Sequence, residues 1–172
     1  SFIDQLGRSV EKARKRLSGH ALPSSRRPRA DRGRSRLAAP VLAIVVEELS
    51  GQKRPPMAEL LARIERRCAA IDAKAPSRAT VYKLMERCPT AGLPLAGLPA
   101  AVRSALYNLT GDVRVPAHQV ALYCFNHGDT AAISFAAGLP WLAIHQALGS
   151  PQLRPQSRGL MRAVAKVRGI VR

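Results

Sequence analysis

Covalent and metal chemistry have few residues to work with in this chain. Cys124, His127 and His118 lie close together, and a Cys-x-x-His pair is half of a zinc-binding pattern. Four ligands would require His145 as well, and no second tight pair accompanies it. Cys124 with His127 as nucleophile and base fares worse, because neighbours on one helix do not align on a substrate and no acid is placed to orient the imidazole. Asp112 and Asp129 are the only acids between 89 and 172, which does not support a three-carboxylate metal nuclease. The sequence therefore offers no catalytic residue, cofactor or metal, and Cys124 reads as a core thiol. What remains is the chemistry of hydrogen bonds and cations, concentrated in the stretch PSRATVYKLM at 76–85.

The charge balance says what that chemistry would meet. Among 172 residues, 28 Lys and Arg face 11 Asp and Glu, a net charge of +17. Such a surplus predicts a polyanionic partner. A GC-rich genome would account for Arg in place of Lys, but not for the shortage of acids. The charge is also uneven. Residues 1–36 carry +8, 37–88 carry +3, 89–153 are neutral and 154–172 carry +6. The three cysteines have no framework spacing and no signal-like segment precedes them, so reduced thiols in a cytoplasm are expected. The longest apolar run, VLAIVV at 41–46, stops at Glu47 and Glu48, so no membrane span is expected.

Organisation follows from periodicity. Residues 1–36 begin with Phe2, Leu6, Val10, Ala13 and Leu17 at helical spacing, with Lys12, Arg14, Lys15 and Arg16 opposite. An Arg-rich arm follows, containing Arg26, Arg27, Arg29, Arg32, Arg34 and Arg36, with almost nothing to bury. A domain at 37–90 opens with an apolar helix interrupted early by Pro40. Its second helix places Met57, Leu60, Leu61, Ile64, Cys68 and Ile71 on one stripe. No strand alternation or Asn-Gly hairpin appears, so the fold class is all-α.

Ser77 then sits where a helix cap belongs. Val81, Leu84, Met85 and Cys88 share one face, while Arg78, Ala79, Tyr82, Lys83 and Glu86 take the other sides, with Thr80 and Arg87 at the flank. Over residues 57–88 this pattern resembles the helix-turn-helix of bacterial regulators, site-specific recombinases and transposon integrases, in which Ser-Arg-x-Thr-Val-Tyr-Arg/Lys-x-Leu recurs. The resemblance implies a reading helix at 77–88, with Ser77 as cap, Val81 and Leu84 in the core, and Arg78, Thr80, Tyr82 and Lys83 facing DNA; Arg87 extends that set. The preceding helix is longer than that of simple repressors and closer to the transposase type.

A Pro/Gly-rich linker, TAGLPLAGLP at 90–99, opens the neutral block, and the domain at 91–153 continues as short helical pieces punctuated by Gly128, Gly138 and Gly149. Two readings stay open for this neutral domain. It is a packing or dimerisation module, or a second helix-turn-helix offering Trp141, His145 and Gln146. The tail, 154–172, reads as a helix with Leu160, Val164, Val167 and Val171 inward and a ridge of Arg154, Arg158, Arg162 and Lys166 for a phosphate backbone. Together these features point to a non-enzymatic binder of double-stranded DNA. It would be a bacterial transcriptional regulator, of a mobile element in one version, acting in the cytoplasm at the nucleoid and as a homodimer if one unit binds weakly. An RNA or ribosome partner, or a protein partner as in a toxin and antitoxin pair, fits the same charge pattern.

Overall fold

Pro40 lacks an N–H that the first helical turn does not need, so it starts a helix rather than interrupting one. Helix α1 spans Ala39–Leu49 with Pro40 in its first turn. The computed structural model describes residues 37–171; the expected amphipathic helix of 1–17 and the arm arginines Arg26, Arg27, Arg29, Arg32, Arg34 and Arg36 lie outside the described residues. Helix α2 (Met57–Ala69) packs on α1 and buries Leu60, Ile64 and Cys68. The stripe ends there. Asp72 adopts φ 51° and the amide of Ala73 bonds the Cys68 carbonyl, so the chain leaves the helix before Ile71 can return to the buried face. Ile71 is 46% exposed, against expectation.

Helix α3 (Arg78–Arg87) follows. The segment read as a linker is not one. Gly92–Pro94 forms strand β1 and pairs antiparallel with β2 (Arg114–Pro116), Leu93 opposite Val115, while Leu95 and Leu98 are buried beside it. Three-residue strands are too short to show alternation, so no period marks them in the sequence. Between the strands lies α4 (Ala100–Ala105), burying Val102 and Ala105. Helices then account for most of the remaining described residues: α5 (Ala117–His127), α6 (Thr130–Ala137), α7 (Trp141–Gly149) and α8 (Pro155–Val167). The described residues are mostly helical, 62%, as expected of an all-α protein, with one small sheet added.

Helix α7 is set against α5, α3 and α8. Trp141, Leu142, Ala143, Ile144 and Ala147 are all buried in it. Of the three residues offered for a second reading helix, Trp141 has no exposed surface to offer a base, and His145 and Gln146 are half-buried. Although α6 and α7 are both apolar, they meet at a 116° bend, and no described helix is long and apolar enough to cross a membrane. The core is continuous from Val41 to Ile170, and Leu37–Arg172 cluster as one unit, so 37–90 and 91–153 do not form separate cores.

The tail helix is turned relative to expectation. Ser157, Met161 and Ala165 are buried on α8, whereas Leu160 is 47% and Val167 is 88% exposed. Small Ser157 and Ala165 flank Met161, which lets α8 approach α5 and α7 closely. The guanidinium of Arg168 completes the arrangement by donating to the carbonyls of Ala137 and Leu139, each at 2.6 Å, and of Gln52 at 2.9 Å. Polar anchoring and small side chains set the rotation of this helix, where hydrophobicity alone favours the opposite side.

Val81 is fully buried. Val81→Asp would place a carboxylate in this core without a partner, and we expect destabilisation of more than about 3 kcal/mol. Chemical denaturation followed by circular dichroism checks this; a midpoint equal to the parent's would refute the assigned inner face of α3.

Candidate nucleic-acid interface

The amide of the fourth residue after a helical carbonyl normally satisfies it, and for Met85 that residue is Pro89, which has no N–H. The Met85 carbonyl is thus left over by the sequence that stops the helix. Gln146 of α7 supplies the donor: its Nε2 lies 2.9 Å from the Met85 carbonyl oxygen and 2.8 Å from that of Cys88. The C-terminal end of α3 is thereby fastened to α7, with Val81 and Met85 buried beneath. α2 packs chiefly on α1, and α3 chiefly on α7. The seat of α3 is therefore α7 rather than the helix that precedes it.

At the other end, Ser77 caps the helix as expected. Its Oγ accepts from the Thr80 amide at 3.3 Å and lies 2.9 Å from Thr80 Oγ1. Thr80, half-buried, is thus engaged with the cap. Arg78, Ala79, Lys83 and Arg87 are exposed, as is Tyr82 at 38%. The Arg78 guanidinium stacks over the Tyr82 ring, 5.6 Å from its centroid, and approaches its hydroxyl at 3.4 Å. Among the described residues, no carboxylate pairs with Arg78, Lys83 or Arg87. Two of the three cations of α2 behave differently. Arg67 pairs with Glu47 and, at 3.1 Å, with Glu48, which raise its pKa through hydrogen bonds. Arg63 pairs with Glu59 at 2.5 Å.

A residue the sequence reading passed over joins this face. Arg54, from the loop between α1 and α2, lines a groove of about 500 Å³ with Arg78, Tyr82, Gly169 and Val171. Its guanidinium donates to the Ile170 carbonyl and lies 5.8 Å from the centre of the Trp141 ring. Nothing in the local sequence QKRPP marks it, since its role depends on contact with residues far along the chain. Of the tail ridge, Arg162 and Lys166 line a second groove with Leu148 and Val171. The outer face of α3 and the basic end of α8 thus border the same C-terminal turn. Arg154 and Arg158 do not share that site. Arg154 bonds the backbone and side chain of Asn126, and half-buried Arg158 reaches the Leu153 carbonyl.

The histidines and cysteines have other duties. Cys124 is buried, and burial together with the charge of Asp129 pushes its thiol up to about 11. His118 Nδ1 lies 2.9 Å from Thr90 Oγ1. The described residues bring no three His, Cys, Asp or Glu side chains together in a metal-holding group. Comparison of the chain with protein-family models, curated proteins and solved structures finds no match.

Two predictions follow from these contacts. Gln146→Leu removes both donors and strands the Met85 and Cys88 carbonyls, at a cost of about 1–3 kcal/mol; hydrogen exchange of the α3 amides should accelerate more than exchange in α5. The second concerns protons. Burial lowers the pKa of His118, and it lowers that of His145, assisted by Arg54 and opposed by Glu86. The folded state binds these protons less readily than the unfolded chain. The associated stability is complete above the unfolded value of about 6.5 and is lost as pH falls through the lower folded values. Denaturation midpoints should decline across that interval, and less steeply in His145→Gln.

Proposed function

We propose that the protein is a non-enzymatic binder of double-stranded DNA whose helix α3 enters the major groove. Arg78, Tyr82, Lys83 and Arg87 would face base edges and phosphates. Arg162, Lys166 and Arg54 would neutralise the adjoining backbone, and the arginines at 26–36 would add sequence-independent affinity. A regulator acting at the nucleoid, as a dimer if one unit binds weakly, is the role that fits such a module. One contrast carries the reading. Among the described residues, Arg63 and Arg67 of α2 are matched by acids of their own unit and Arg66 is not, while all three cations of α3, on a helix fastened at both ends, are left for an external anion. The helix-turn-helix resemblance adds to this support for residues 57–88 through its capped, two-faced helix, although α7 provides the seat.

Binding of labelled genomic duplex fragments across a salt series, with unlabelled DNA and RNA as competitors, tests it. Arg78→Ala and Lys83→Ala should each weaken specific binding by about 5- to 150-fold if they reach base edges. A phosphate contact would instead reduce the salt slope by about 1. Helicity should be unchanged. Retention of parental affinity and salt slope by both variants would remove α3 from the interface. RNA competing as well as duplex would favour an RNA or ribosome partner, and a complex that persists at high salt would favour a protein.

A further inference from the structure

The neutral half of the chain holds a surface that the DNA-reading helix does not use. Tyr107, in the turn after α4, is 69% exposed. Its ring meets His127 edge to face, with centroids 5.6 Å apart and planes at 75°. His127, also exposed, lies against Tyr123 at 5.9 Å and 32°. The Tyr123 hydroxyl is fixed in turn by the side-chain amide of Asn108 at 3.1 Å. Three rings from two elements are therefore held together at the surface, and the outermost has most of its area open to solvent.

We propose that Tyr107, His127 and Tyr123 form a stacking platform for a base of an unpaired nucleic-acid strand. An exposed ring with polar neighbours suits a ligand that is flat, apolar on its faces and hydrogen-bonding at its edges, which describes a nucleobase. The net charge of the chain, +17, favours a polyanion over an apolar peptide. Arg154 donates to the carbonyl of Asn126, the residue before His127, and has no carboxylate partner among the described residues. Asp129, the nearest acid in sequence on that side, is engaged by the Ala132 amide at 2.8 Å. Exposed Asp112 lies further along the Tyr107 turn. This surface is separate in residues from α3, so duplex reading and single-strand stacking can fail independently.

The test uses the full chain with fluorescently labelled single strands of about 12 nucleotides: oligo(dT), oligo(rU) and an abasic strand carrying the same phosphates. Tyr107→Ala should weaken binding of oligo(dT), oligo(rU) or both by about 5- to 100-fold, with Tyr107→Phe close to the parent. The strand showing the larger loss identifies the sugar preferred. The abasic strand should bind the parent more weakly by a similar factor, and duplex affinity should change less than about 2-fold in Tyr107→Ala. Equal binding of abasic and base-bearing strands by the parent overturns the proposal. So does a Tyr107→Ala variant, folded by circular dichroism, that binds both base-bearing strands like the parent.

Discussion

A proline that ends a helix also leaves a carbonyl without a donor, and the presentation of helix α3 depends on how that carbonyl is satisfied. Gln146 gives both hydrogens of its amide to the end of α3, and in doing so ties the outer helix to the most buried one. The consequence is mechanical. A short helix with only two fully buried side chains would fray at an unanchored end, and its cations would lose their fixed spacing. With Ser77 closing one end and Gln146 the other, the outer face is presented by a rigid support. Groups of fixed geometry bind at lower entropic cost than groups that must be ordered on contact.

The same logic explains why charge in this chain is better read by partnership than by count. Arg63, Arg67 and Arg168 contribute to the net charge as fully as Arg78 or Lys83, yet they are occupied by Glu59, by Glu47 and Glu48, and by backbone carbonyls. Arg154 and Arg158 are partly committed to the carbonyls of Asn126 in α5 and of Leu153 in the turn before α8. An excess of cations over acids thus separates into those that hold the unit together and those available to something outside it. Arg63 and Arg67 of α2 and Arg168 of the C-terminal turn are used internally, whereas the cations of α3 and of the end of α8 have no carboxylate partner among the described residues.

Much of the local structure was legible in the sequence because it rests on short-range rules. The Ser77 cap, the inner face of α3, the buried stripe of α2 up to Cys68 and the helical character of the whole follow from spacing and capping chemistry. What was hidden depends on distant partners. The strands at 92–94 and 114–116 exist only as a pair, and neither is long enough to show a period. The face of α8 is chosen by Ser157 and Ala165, whose small size carries no hydrophobic signal, and by Arg168 reaching three carbonyls. Trp141 and Gln146 looked like groups for reading bases because both can stack or hydrogen-bond. One is enclosed and the other is bound to α3, and only the tertiary arrangement distinguishes these outcomes. Arg54 was missed for the same reason.

Two of the bonds described join residues 116 positions apart, Arg54 to the Ile170 carbonyl and Arg168 to the Gln52 carbonyl. They close the largest loop among the described hydrogen bonds. During synthesis, the turn between α1 and α2 must wait for nearly the whole unit to leave the ribosome before these partners arrive. The groove that Arg54 shares with Arg78 and Tyr82 includes Gly169 and Val171, so it too is absent from any shorter nascent chain. A growing polypeptide would carry its basic helices before it could display them in their final order, which makes the completed C-terminal turn a checkpoint between a merely cationic chain and a finished surface.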